Sequence, residues 1–175
     1  HWGAVMRQNS DDRTQLERRW TAMGQVERRL EKLGITLPAP NAPVANYVPF
    51  VQAGALLFVS GQISNGPSGV VRGKLGASLA LDEGVAAARL CAVNIIAQLN
   101  AALGGDLDRV KRIVKLGGFV NCIPEFEDQP KVINGASDLM VSVFGEAGKH
   151  ARAAVGAPSL PMGAAVEVDA IVEIS

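Results

Sequence analysis

Apolar residues recur at spacings of three and four in some stretches of this chain and alternate with polar ones in others. The first helical pattern joins Leu16, Trp20, Met23, Val26, Leu30 and Leu33, with Glu17, Arg18, Arg19, Glu27, Arg28, Arg29 and Glu31 in the gaps. It predicts one amphipathic helix that ends at Gly34 and packs on the domain or on a partner subunit. A second pattern runs over about 82–103, through Val85, Ala88, Ala92, Ile96, Leu99 and Leu103, and stops at Gly104-Gly105. A third starts within 124–128 and reaches about Phe144, with Val132, Leu139, Met140 and Val143 on its apolar side.

Between these lie strand patterns. Residues 47–52 and 56–62 read as a hairpin around Ala53-Gly54, after an irregular Pro-rich linker over 38–43. Residues 65–74 are rich in glycine and turn formers and read as a loop, with room for a short strand at Val70-Val71. Residues 109–121 alternate, with Val114, Leu116, Val120 and Cys122 on one parity and Lys115 and Asn121 on the other. The order is helix, hairpin, helix, strand, helix, strand, strand. It predicts an α+β domain with two helices on one face of a mixed sheet and an extra N-terminal helix. The boundary falls between an extension over 1–36 and a single domain over 37–175. Ile113, Phe119 and Ile171 fall on the other parity, so that sheet face is expected to meet a partner subunit.

With 175 residues and 48% apolar composition, one domain can bury a real core. Seventeen basic residues balance 17 acidic ones, so no charge excess points to nucleic acid or to an acidic surface. The two cysteines, Cys91 and Cys122, sit in apolar contexts that suit buried thiols. The two histidines are His1 and His150, and no Cys/His cluster has metal-ligand spacing. No metal or cofactor is expected. No apolar run reads as long enough to cross a membrane and nothing resembles a cleaved signal, so a cytoplasmic location is the default expectation.

The chemistry gathers over 149–175, where two short apolar runs flank a Pro-rich turn. In the first strand Arg152, Ala154 and Gly156 share a face, and Ala151, Ala153, Val155 and Ala157 share the other. An arginine between small residues has open space and can grip a small carboxylate with paired hydrogen bonds. Composition alone favours the plainer reading, one half of a structural ion pair. In the second strand Val166, Val168, Ala170, Val172 and Ile174 share a face opposite Glu167, Asp169, Ile171 and Glu173. By pattern alone Glu167 is a solvated strand carboxylate.

Ala151-Arg152-Ala153-Ala154-Val155, then Leu160-Pro161, then Val166-Glu167-Val168 resembles the C-terminal signature of the Rid (reactive intermediate deaminase) family, also called YjgF-like or L-PSP endoribonuclease. Val59-Ser60-Gly61-Gln62 is similar to its Ser-Gly-Gln motif, Tyr47 to its N-terminal tyrosine, and Asn134 falls near its second-helix asparagine. The resemblance covers roughly 40–175. It implies a chorismate-mutase-like fold, a homotrimer with sites between subunits, and hydrolysis of short-lived enamines and imines to 2-keto acids and ammonia without cofactor or metal. It casts Arg152 as the grip on the substrate carboxylate and Glu167 as holder of the attacking water. Tyr47 becomes an aromatic wall with a hydroxyl from a neighbouring subunit, with Ser60, Gly61 and Asn134 as further substrate-binding residues.

Departures mark a divergent branch. Ala154 stands where typical members carry a cysteine, which changes the pocket and removes a thiol at that point. His150 replaces the usual proline two residues before Arg152, either projecting toward the same pocket or lying in a surface loop. Two rival functions remain. One is a non-catalytic module that binds a small carboxylate or a protein. The other is an endoribonuclease, disfavoured by the balanced charge and by the want of a basic, aromatic-lined stripe.

Overall fold

A computed structural model describes residues 2–40 and 46–175, with side chains from Ser10 onward. The Pro-rich linker predicted over 38–43 therefore lies partly outside the described residues. Two helices come first, α1 (Trp2–Ala22) and α2 (Gln25–Lys32), followed by the hairpin β1 (Phe50–Ala53) and β2 (Leu56–Ile63). A small hairpin, β3 (Asn65–Gly66) and β4 (Gly69–Val70), precedes α3 (Leu81–Ala102). The chain then alternates through β5 (Val110–Asn121), α4 (Gln129–Phe144), β6 (Ala151–Ala157) and β7 (Val166–Ile174).

The main sheet has the order β1-β2-β7-β5-β6. β5 and β6 run parallel, which α4 makes possible as the crossover between them. The other neighbours are antiparallel. Helices α3 and α4 cover one face. Val166, Val168, Ala170, Val172 and Ile174 of β7 point into that layer and are buried against them, as alternation predicts. Two glycines let backbone and side chains close up: a Cβ at Gly135 would collide with the carbonyl oxygen of Val85, and one at Gly118 with Ile133. The α3–α4 contact and the α4–β5 contact are therefore set by absent side chains.

Three expectations need correction. The N-terminal pattern predicts one helix through Gly34, but the helix breaks at Met23-Gly24. Gly24 is extended, with φ −65° and ψ 162°. Beyond it, the Asp108 carboxylate accepts from the backbone N–H of Gln25 at 2.9 Å and of Val26 at 2.9 Å. A carboxylate far along the chain thus caps α2, complementing its free N–H groups and dipole. Val26 and Leu30 of α2 enter the core, whereas Ser10 to Ala22 of α1 are exposed throughout.

Second, Ile113 belongs to the core and not to the open face, with no exposed surface. Ile113 pairs with Val172 and Lys115 with Ile171, so Val114 is an extra residue that resets the alternation of β5. A sequence reading of strict period two cannot register that bulge. Third, α3 at 22 residues is long and apolar enough to span a bilayer, contrary to expectation. Its apolar side is occupied by the core, where Ala87, Ala88, Cys91, Ala92, Ile95, Ile96 and Leu99 are buried.

The opposite face of the sheet carries no helix among the described residues. It presents Val51, Phe58 and Val155, which keep 52%, 42% and 47% of their surface. Half-buried Phe119 and Ile171 lie between them, as expected of that parity.

Candidate functional site

Arg152 sits on the edge strand β6, in register with buried Leu116 of β5. Partners in register share a face, so its side chain emerges on the helix-covered side, beside α4. There its Nη1 donates to Asn134 Oδ1 at 2.7 Å and to Ser137 Oγ at 3.1 Å. Asn134 and Ser137 are three residues apart on α4, which places both on the side that meets Arg152. No acidic side chain pairs with Arg152 among the described residues. The guanidinium is held at one nitrogen and keeps its other donors for something else.

His150 joins this cluster. It is half-buried, with Nε2 2.9 Å from Ser137 Oγ and Nδ1 2.6 Å from the Gly148 carbonyl oxygen. Ala154 is the next side chain on the same face of β6, half-buried and packed against the core.

Glu167 lies elsewhere. It pairs with Phe119 on one side and Ile63 on the other, so it points to the open face of the sheet. Val59 pairs with Ala170 and Gln62 with Val168, which leaves Ser60 and Gly61 together opposite Asp169 as a bulge. Gly61 lets the Glu167 carboxylate lie against the strand backbone, because a Cβ there would push Oε1 aside. Gly117 makes the same allowance for Asp169. The two carboxylates are neighbours on one face, and both hold protons more tightly than usual. Burial is the main cause for Glu167, with repulsion from Asp169 adding to it. Burial also raises Asp169, against the pull of the Gly117 backbone and the Lys115 ammonium.

Tyr47 is 58% exposed and makes no hydrogen bond to Arg152 or Glu167 among the described residues. It immediately precedes Val48, whose carbonyl accepts from Ser60 Oγ at 2.7 Å, while Ser60 N donates to the Pro49 carbonyl at 2.9 Å. Those two bonds tie the approach to β1 onto the bulge. The predicted residues thus fall into two groups: Arg152, Asn134, Ala154 and His150 by α4, and Tyr47, Ser60, Gly61 and Glu167 around the β2 bulge and the open face. The sequence reading missed Ser137 and Asp169 as members. Helical spacing from Asn134 points to the first, and strand spacing from Glu167 to the second.

A separate cleft of about 650 Å³ lies between the segment after α2 and the outer side of α3, lined by residues that include Leu37, Asn65, Arg89 and Val93. It contains neither Arg152 nor Glu167. No group of three or more His, Cys, Asp or Glu side chains among the described residues is arranged to hold a metal ion.

Comparison with known proteins converges on one family. Its model, described as "YjgF/chorismate mutase-like, putative endoribonuclease", matches residues 27–174. Protein TCP17 of Trypanosoma cruzi is 58% identical over 156 residues, covering 88% of this chain and 97% of that protein. The crystal structure of Atu1372 from Agrobacterium tumefaciens, a protein with unknown function, aligns at 53% identity and a TM-score of 0.81, over 86% of this chain and 92% of that one. A structure described as a "putative endoribonuclease" from Shewanella oneidensis MR-1 aligns at 38% identity and a TM-score of 0.82, over 86% of this chain and all of that one. The α+β architecture, the mixed sheet and these matches agree, and the chain belongs to the YjgF/chorismate mutase-like family.

Proposed function

We propose that this protein hydrolyses small carboxylate-bearing imines and enamines to 2-keto acids and ammonia, in sites formed between copies of a homotrimer. The observation that carries the reading is the state of Arg152. Asn134 and Ser137 orient its guanidinium, no acid among the described residues pairs with it, and its remaining donors suit a substrate carboxylate.

Hydrolysis of an imine needs water at the C=N carbon and a proton for the departing nitrogen. A carboxylate whose proton affinity is raised is suited to take a proton from water and return it to nitrogen. Glu167 has that property, but on the face opposite Arg152. A neighbouring copy would supply the Glu167 that serves a given Arg152, and its Tyr47 would close the site. The exposed apolar residues Val51, Phe58 and Val155 support a second copy as the cover of that face. Addition of water to the C=N carbon, proton transfer to nitrogen and cleavage of the C–N bond then give the keto acid and ammonia. With the carboxylate fixed and water placed, little further assistance is needed.

The test is release of ammonia and keto acid from enzymatically generated 2-aminoacrylate, with wild type and Arg152→Ala compared. No acceleration by wild type removes the deaminase reading, and equal acceleration by both removes Arg152 from it. A second reading, a module that binds small carboxylates without turning them over, draws on the small Ala154 beside Arg152. Arg152-dependent calorimetric binding of 2-keto acids without turnover would favour it. Light scattering that finds a monomer removes the trimer.

A further inference from the structure

The cluster around Arg152 contains more than a carboxylate grip. A carbonyl oxygen only accepts, so the 2.6 Å contact between Gly148 O and His150 Nδ1 places a proton on Nδ1. In the neutral ring Nε2 is then a bare lone pair. Ser137 Oγ lies 2.9 Å from it, so the serine hydroxyl donates to His150. The same Oγ receives an N–H from Arg152 Nη1 at 3.1 Å. The row therefore has one direction: a hydroxyl, a base that accepts its proton, a carbonyl that orients the base, and a cation that stabilises negative charge on the hydroxyl oxygen.

That is the arrangement of an activated nucleophile. A mid-helix serine often bonds back to the carbonyl one turn earlier. Ser137 makes no such bond to the Ile133 carbonyl and turns to His150 and Arg152. The pair is half-buried next to exposed Asn134. Ser137 and His150 each keep part of their surface open to solvent.

We infer that Ser137 is a nucleophile with His150 as its base, and that the protein hydrolyses small esters that carry an anionic group. Oγ bonds to the acyl carbon as its proton passes to Nε2. Arg152 faces the oxyanion. The ester C–O bond then breaks, and the leaving alkoxide takes the proton from His150. Water next adds to the acyl carbon and gives a proton to Nε2. The bond from the acyl carbon to Oγ breaks, Oγ recovers the proton, and a carboxylic acid leaves. One ester and one water become one acid and one alcohol. Arg152 is shared with the imine chemistry, but neither activity requires the other.

The experiment treats the intact protein with phenylmethylsulfonyl fluoride and follows intact mass and peptide mapping, alongside 4-nitrophenol release from the mono-4-nitrophenyl ester of succinic acid. One sulfonyl adduct per chain on Ser137, none in Ser137→Ala, and labelling and ester turnover at least about tenfold slower in His150→Gln are expected. Circular dichroism verifies that both variants fold. Unmodified Ser137 in the wild type after prolonged exposure overturns the inference without reference to any variant. Equal labelling rates in wild type and folded His150→Gln also overturn it. Ser137 labelling with ester turnover, but without action on 2-aminoacrylate, supports this inference while removing the imine reading. Action on 2-aminoacrylate with Ser137 unlabelled does the reverse.

Discussion

Arg152 and Glu167 lie on opposite faces of one sheet. Arg152 is in register with Leu116 and meets α4, whereas Glu167 is in register with Phe119 and looks away from the helices. The proposed site therefore takes the two residues from different copies of the chain.

Subunit mixing tests that relationship. Arg152→Ala and Glu167→Gln are each expected to lose deaminase activity. When the two are co-refolded in equal amounts, a site is complete only if its Arg donor and its Glu donor both come from the correct variant. Random assembly restores about one quarter of the wild-type sites. Ammonia release that stays at the single-variant level after mixing would show that the two residues do not form a shared site.

Glu167 and Asp169 also shape the dependence of stability on pH. Both hold protons more tightly in the folded chain than their ordinary values of 4.5 and 3.8. The folded state therefore binds more protons than the unfolded one between the ordinary and the raised values. Their contribution is full below the ordinary values and is lost as pH rises through the raised ones. Thermal midpoints measured from about pH 3 to 8 should show this fall, and Glu167→Gln or Asp169→Asn should flatten it. An unchanged slope in both variants would contradict the assignment.

Asp108 is predicted to hold the start of α2. Its two oxygens serve Gln25 N and Val26 N, and alanine serves neither. Asp108→Ala should cost about 1 kcal/mol in urea unfolding, with Asp108→Asn between it and wild type because one acceptor oxygen remains. A loss within the error of the urea midpoint would show that the packing of Val26 and Leu30 alone seats this helix.

Gly135 is the tightest point of the helical layer. A methyl group there meets the backbone of Val85, which cannot turn aside as a side chain can. Gly135→Ala should destabilise by about 1–3 kcal/mol even though alanine favours helix, because overpacking outweighs the propensity gain. A more stable variant would mean that α3 and α4 separate easily.

Much was legible in the sequence because it depends on local period. The apolar stripe over 82–103 and the alternation from Val166 to Ile174 each report one dominant buried side, and the structure orders them accordingly. Arg152, Glu167, Tyr47 and Ser60 could be named only because their motifs resemble those of the family; residue type and spacing alone left Arg152 and Glu167 as ordinary strand charges. Long-range contacts decided the rest. The bulge at Val114 moved Ile113 into the core, and the Asp108 carboxylate divided the first helix at Gly24. Neither has a signal within its own window, since each depends on a partner far along the chain. The same holds at the site: motif resemblance named Arg152 and Glu167, but strand register placed them on opposite faces, and the packing of α4 on β6 brought Ser137 and His150 to Arg152. Sequence determines which side chains a face carries; only the assembled sheet and its helices decide which faces meet.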